Sequence, residues 1–238
     1  MASLATVGYE PTADFPQVPY DRMHLRLAPW ANSPRAQTWR QFGLAWNAVA
    51  YRFQACAEHD EAFRELFDRV GSNAAGINRY RQQRDLYGCV VNACSVIESF
   101  YYAAYAVGAL ADPAAFPIDT PKAQRDIKPS ATAALYRRTF PDDQFTALLD
   151  AVIADAHWRD LADLRNVLIH RAAPGKAVFL STPGASVTPP ADQLRLGDFH
   201  VPDRDFDAQL THACRRWAAS SAATLCLGLD EFTERQFP

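Results

Sequence analysis

Residues 161–175, "LADLRNVLIHRAAPG", place Arg165, Asn166 and His170 inside a run of leucine, valine and isoleucine. Polar side chains in such a run cost free energy unless something satisfies them. At 3.6 residues per turn, Leu161, Leu164 and Leu168 form one stripe with Arg165 beside it. Asn166 and His170 lie one turn apart on a face roughly opposite the leucines, flanked by Val167 and Ile169. A helix apolar nearly all round is buried on more than one side. One side is therefore expected to face a bundle core and the other a partner, most simply a second copy of the chain. His170 stands in the last turn, before Pro174 and Gly175 end the helix. The carbonyl end of a helix favours a cation there.

The flanking sequence reads as helix almost throughout. Trp39, Phe42, Trp46, Val49, Phe53 and Cys56 recur at three- and four-residue spacings after a start at Ser33 and Pro34. Asp60 is expected to cap a shorter helix carrying Phe63, Leu66, Phe67 and Val70, ended by Gly71. The longest helix is expected over about 78–110, where Leu86, Val90, Ala93, Ile97, Phe100, Ala104 and Val107 keep an unbroken pattern. Further helices follow Pro129 and Asp142, and the last is expected over about 203–235. The prolines of residues 1–32 predict an extended arm, and weak alternation within 176–201 predicts a short β-hairpin. The expected fold is thus all-α. It is an up-and-down helical bundle over 33–238, one domain, with a hairpin appendage before the last helix.

Composition bounds the function. With 238 residues, 49% hydrophobic and 12% aromatic, the chain can bury a sizeable core. A net charge of −3 argues against coating nucleic acid by bulk positive charge. Cys56, Cys89, Cys94, Cys214 and Cys226 are an odd number in apolar helical patterns, without Cys-x-x-Cys spacing. Reduced thiols in a cytoplasmic protein are the expectation, with no metal and no cofactor. The stretch "FYYAAYAVGAL", residues 100–110, is too short to span a bilayer, so no membrane association is expected. No phosphate-binding glycine loop, Gly-x-Ser-x-Gly elbow or His-Glu-x-x-His helix occurs.

A titratable imidazole near a fixed guanidinium is what RNA cleavage without a metal requires. The imidazole moves protons at the 2′-hydroxyl or the leaving oxygen, and the arginine stabilises charge building on phosphorus. Arg165-Asn166-Val167-Leu168-Ile169-His170 resembles the motif of the HEPN family, an arginine followed after four to six residues by a histidine. The resemblance covers about residues 78–172. It implies a four-helix bundle that dimerises so that both motifs line one cleft, and a metal-independent endoribonuclease, often a toxin or defence effector. Arg165 and His170 would then be catalytic, and Asn166 would fix the imidazole or touch phosphate. Glu98, on the preceding long helix, would support them. Arg52 to His59 and Arg195 to His200 fit the same loose spacing. The first is expected to cross a helix end, and the second crosses Gly197.

Some toxin members carry a tyrosine two residues after the histidine, modified by a partner antitoxin. Ala172 stands there, which speaks against that form of regulation by an antitoxin. Arg79, Arg81 and Arg84, interleaved with Tyr80, and Arg171 after the motif, are candidate contacts to an RNA substrate. The competing expectation is a non-catalytic helical module. In it Arg165 and His170 belong to a structural network with Asp163 or Glu98, and the exposed face serves a dimer or another protein partner.

Overall fold

The computed structural model describes residues 9–10, 12–72, 74–171 and 193–237. Within them the chain is an all-α helical bundle, α1 (Gln17–Leu27), α2 (Ala36–Val70), α3 (Gly76–Ala111), α4 (Pro121–Asp126), α5 (Pro129–Thr139), α6 (Gln144–Ala154), α7 (Ala156–His170) and α8 (Ala208–Gln236). Two strands, β1 (Gln193–Leu194) and β2 (Arg204–Asp205), pair antiparallel between α7 and α8. A short ladder does precede the last helix, but it pairs 193–194 with 204–205, so its second strand lies beyond the 176–201 expected for the hairpin. The part expected over 176–192 lies outside the described residues.

The long antiparallel pair α2 and α3 is the frame on which everything else packs. Tyr102 Oη donates to Gln41 Oε1 near one end, and His59 meets Asp85 near the other. In α2, Phe42, Trp46, Val49, Phe53, Cys56, Phe63 and Leu66 are buried along one continuous face. Asp60 does not cap a second helix. It sits within α2, fully buried, where Arg215 of α8 approaches it, so packing between distant segments overrides a residue that prefers caps. Gly71 ends α2 at φ 68°, a conformation that favours glycine, and its N–H donates to the Phe67 carbonyl.

The expected extended arm is also corrected. From Gln17 the chain is helical, and a 3-10 turn follows over Ala28–Asn32. Pro19 falls in the first turn of α1, where backbone N–H groups have no helical partner to lose. Tyr20, Met23 and Leu27 face inward and are buried. The last helix likewise starts at Ala208 rather than near 203. Asp207 is its cap, accepting from the N–H groups of Gln209 and Leu210.

Two hydrophobic clusters share the length of α2 and α3. The larger joins α1, the first half of α2, the second half of α3, α5, α6 and the later part of α8. In it the hydroxyls of Tyr101 and Tyr136 donate to the carbonyls of Leu149 and Ala104 at 2.6 Å, so these buried rings bring no unsatisfied donor inside. The smaller gathers Cys56, Phe63, Leu86, Cys89, Val90, Leu164, Val167, Leu168, Leu194, Phe206 and Cys214. Trp158 and Trp217, stacked at 6.1 Å, touch both. Helix α3 is long and apolar enough to cross a membrane by length and composition, and 83% of its apolar window is buried within the protein.

Candidate functional site at the α3–α7 crossing

Helix α7 starts afresh rather than continuing α6. Asp155 ends one helix and caps the next, accepting from the His157 N–H at 2.8 Å and from the Trp217 indole at 3.0 Å. The Trp217 donor, with the His157 N–H behind it, holds the Asp155 carboxyl below its ordinary value. A depressed carboxyl contributes stability above its unfolded value, and that contribution is lost as pH falls through the folded one. Asp155→Ala is expected to cost about 1 kcal/mol, as N-caps do. The deficit relative to the parent should be full at neutral pH and shrink below about pH 4, checked by urea unfolding across pH.

Leu161, Leu164, Val167 and Leu168 bury one face of α7 in the smaller cluster, as the leucine stripe predicts. The Cys94 thiol of α3 donates to the Leu161 carbonyl at 3.4 Å, which ties the two helices. Burial pushes the Cys94 thiol up to about 12, with the Arg165 guanidinium beside it acting in the opposite direction.

Glu98 and Arg165 do come together. Arg165 Nη2 donates to Glu98 Oε1 across the α3–α7 crossing. The two side chains are 34% and 22% exposed, so solvent reaches the pair while the helices hold it. Arg165 Nε is buried without a hydrogen-bond partner. Asn166, Ile169, His170 and Arg171 are exposed, and Ile169 leaves 38% of its surface open. The face opposite the leucine stripe is thus an open mixed surface carrying an amide, an imidazole and an aliphatic side chain. The guanidinium flanks this face and is braced by a carboxylate.

Glu98 also lines a groove of about 620 Å³ between α2, α3 and the start of α5, together with Gln41, Arg52, Ser99, Tyr102 and Lys128. The remaining arginines divide. Arg81 is exposed, Arg79 half-buried, and Arg84 grips Asp85 through Nε and Nη2 at 2.8 and 2.9 Å. Arg84 is therefore occupied by its neighbour, and the hydrogen bond to Asp85 raises its basicity further.

Of the other arginine–histidine spacings, Arg195 pairs with Asp203, and His200 sits left-handed at φ 61° after a 3-10 turn. Arg52 and His59 do not straddle a helix end. Both lie inside α2, two turns apart on one face. From the sequence His59 figures only as the end of a loose arginine–histidine spacing and Asp85 not at all, although a glycine at 88 amid apolar helix signals that something packs there. Among the described residues no group of three His, Cys, Asp or Glu side chains is placed to hold a metal ion. The chain matches no family model, no curated protein and no solved structure.

Proposed function

We propose that this chain is a metal-independent endoribonuclease of the HEPN kind, acting as a homodimer. The observation that carries the reading is the Glu98–Arg165 pair. It fixes the guanidinium at a solvent-reached position, while Asn166 beside it and His170 in the next turn of the same helix are exposed. A carboxylate that takes one guanidinium nitrogen orients the fork and leaves other donors for phosphate oxygens. In the cleavage the 2′-oxygen attacks phosphorus and the bond to the 5′-oxygen breaks. The 2′-hydroxyl proton leaves to a base, and the departing oxygen takes a proton from an acid. His170 is one such group, and Arg165 stabilises the charge on the pentacovalent phosphorus. The products are a 2′,3′-cyclic phosphate and a 5′-hydroxyl.

Purified protein incubated with mixed RNA in EDTA should release such ends, and His170→Ala should slow the reaction about a hundredfold or more. Equal cleavage by both proteins, or none by either, rejects the reading. One observation favours a second reading, because the Glu98 carboxylate neutralises Arg165 just as a structural tie would. The chain would then be a non-catalytic helical module that docks a partner through Asn166, Ile169 and His170. In that case no RNA is processed, and His170→Ala changes association alone, as sedimentation velocity would report.

A further inference from the structure

The groove between α2, α3 and the start of α5 carries positive charge that the fold leaves unanswered. Arg52 of α2 lines it, half-buried, with a single hydrogen bond from Nη1 to the Ser95 carbonyl at 3.4 Å. Its other N–H donors and its charge have no partner among the described residues. Lys128, exposed just before α5, lines the same groove and likewise meets no carboxylate among them. The one acid among the described lining residues is Glu98, and Arg165 already holds it. The groove is therefore net positive on a chain whose net charge is −3.

Its walls are set before anything binds. Gln41 accepts from the Tyr102 hydroxyl at 2.8 Å and donates through Nε2 to the Ile118 carbonyl at 3.4 Å. Gln124 donates to the same carbonyl at 3.0 Å. Ala45 and Ala48 of α2 are too short to fill the space, and Leu44 beside them leaves 74% of its surface open. Ile127 adds a further apolar side chain to the lining. A volume of about 620 Å³ lies within the range of small-ligand sites. Fixed cations next to open apolar surface match a phosphate joined to an unpaired base, whose flat face a duplex would hide.

Printed in the same contacts is the link to the α3–α7 crossing. The Glu98 carboxylate lines the groove and accepts from Arg165 Nη2. Ser95, whose carbonyl Arg52 meets, stands about one turn before Glu98 on α3, and Tyr102 about one turn after it. The Arg52 guanidinium is thus about one helical turn from the carboxylate that positions Arg165.

We infer that this groove is the subsite for single-stranded RNA beside the scissile phosphate, with Arg52 and Lys128 on backbone phosphates and Leu44, Ala48 and Ile127 against a base. The inference extends the ribonuclease reading and takes from it the place of the scissile phosphate at Arg165. Arg52 and Lys128 bind and position the strand, and neither moves a proton.

The probe is a fluorescein-labelled 2′-O-methyl RNA of about ten nucleotides, which lacks the attacking hydroxyl and so reports binding apart from cleavage. Anisotropy titrations should give a Kd about eightfold weaker for Arg52→Gln and for Lys128→Gln at 50 mM salt. The slope of log K against log salt should become shallower by about 0.7 for each, the share of one phosphate contact on a single strand. Ala48→Trp, which fills the groove, should abolish binding with the thermal midpoint held. On cleavable RNA the loss for Arg52→Gln should fall on KM rather than kcat. Parent affinity and parent slope in both charge variants overturn the inference, as does a parent that binds no RNA. Should Ala48→Trp or Arg52→Gln not fold, Lys128→Gln, at an exposed position, decides by its slope. Equal displacement of the RNA by a poly-glutamate peptide of the same charge overturns the inference in favour of an acidic protein partner. Cleavage in EDTA that no groove variant alters leaves the ribonuclease reading and removes this subsite. Binding that the groove variants weaken, with no cleavage by the parent, keeps the RNA site and rejects the ribonuclease.

Discussion

Trp46→Ala should lower the free energy of unfolding by about 3–5 kcal/mol, the range for deleting a buried aromatic side chain. Trp46 is fully buried and stacks on Tyr20 of α1, with ring centroids 4.9 Å apart and planes 8° from parallel. Phe42 and Phe100 close the other sides at 5.5 and 5.7 Å. Reciprocal hydrogen bonds lock the pair. The indole Nε1 donates to the Tyr20 carbonyl at 3.1 Å, and the Tyr20 hydroxyl donates to the Trp46 carbonyl at 3.2 Å. Truncation leaves a cavity between helices too stiff to collapse into it, and α1 loses its main anchor. Urea titration should show a lower midpoint, with an unchanged slope if the transition remains two-state. A loss below about 1 kcal/mol would mean that α1 does not pack where it is described.

Arg215→Met should cost about 3 kcal/mol, near the lower end for breaking a buried ion pair. Arg215 Nη1 lies 3.5 Å from the fully buried Asp60 carboxylate and 2.8 Å from Glu61, and its other nitrogens reach Asp14 at 3.0 and 3.1 Å. Neither Asp60 oxygen has a hydrogen-bond partner, so the carboxylate depends on nearby positive charge. Arg64 and His212 remain at 3.9 and 3.8 Å, which keeps the cost at the low end. Adding Asp60→Leu should recover part of the loss, because the stranded charge is then gone. A double-mutant cycle of unfolding free energies measures this coupling, and simple additivity would contradict the burial argument.

The sequence was informative where a residue's fate depends on near neighbours. Periodic apolar residues located α3 and most of α2, and Pro129 marked the start of α5. The leucine stripe of α7 names its buried face, and Glu98 is legible in the sequence as a polar partner for Arg165 because each stands in an otherwise apolar helix. Where partners are distant in the chain, reading stopped. Asp60 looked like a cap because its partner Arg215 stands 155 residues later, beyond any local pattern. The same expected helix end divides Arg52 from His59, although both stand on one face of α2. Residues 17–27 look extended because Pro16 and Pro19 suit an extended chain, yet the same prolines are tolerated at a helix start, and the inward Tyr20, Met23 and Leu27 decide for helix.

Because α2 and α3 run unbroken through both hydrophobic clusters, the two ends of the molecule need not share one fate. The aromatic-rich end is braced by α1, α5 and α6, whereas α7 and the short ladder cover the other. Local opening should therefore begin at the end that carries His59 and His170, with the far halves of α2 and α3 serving as an intact splint from which it recloses.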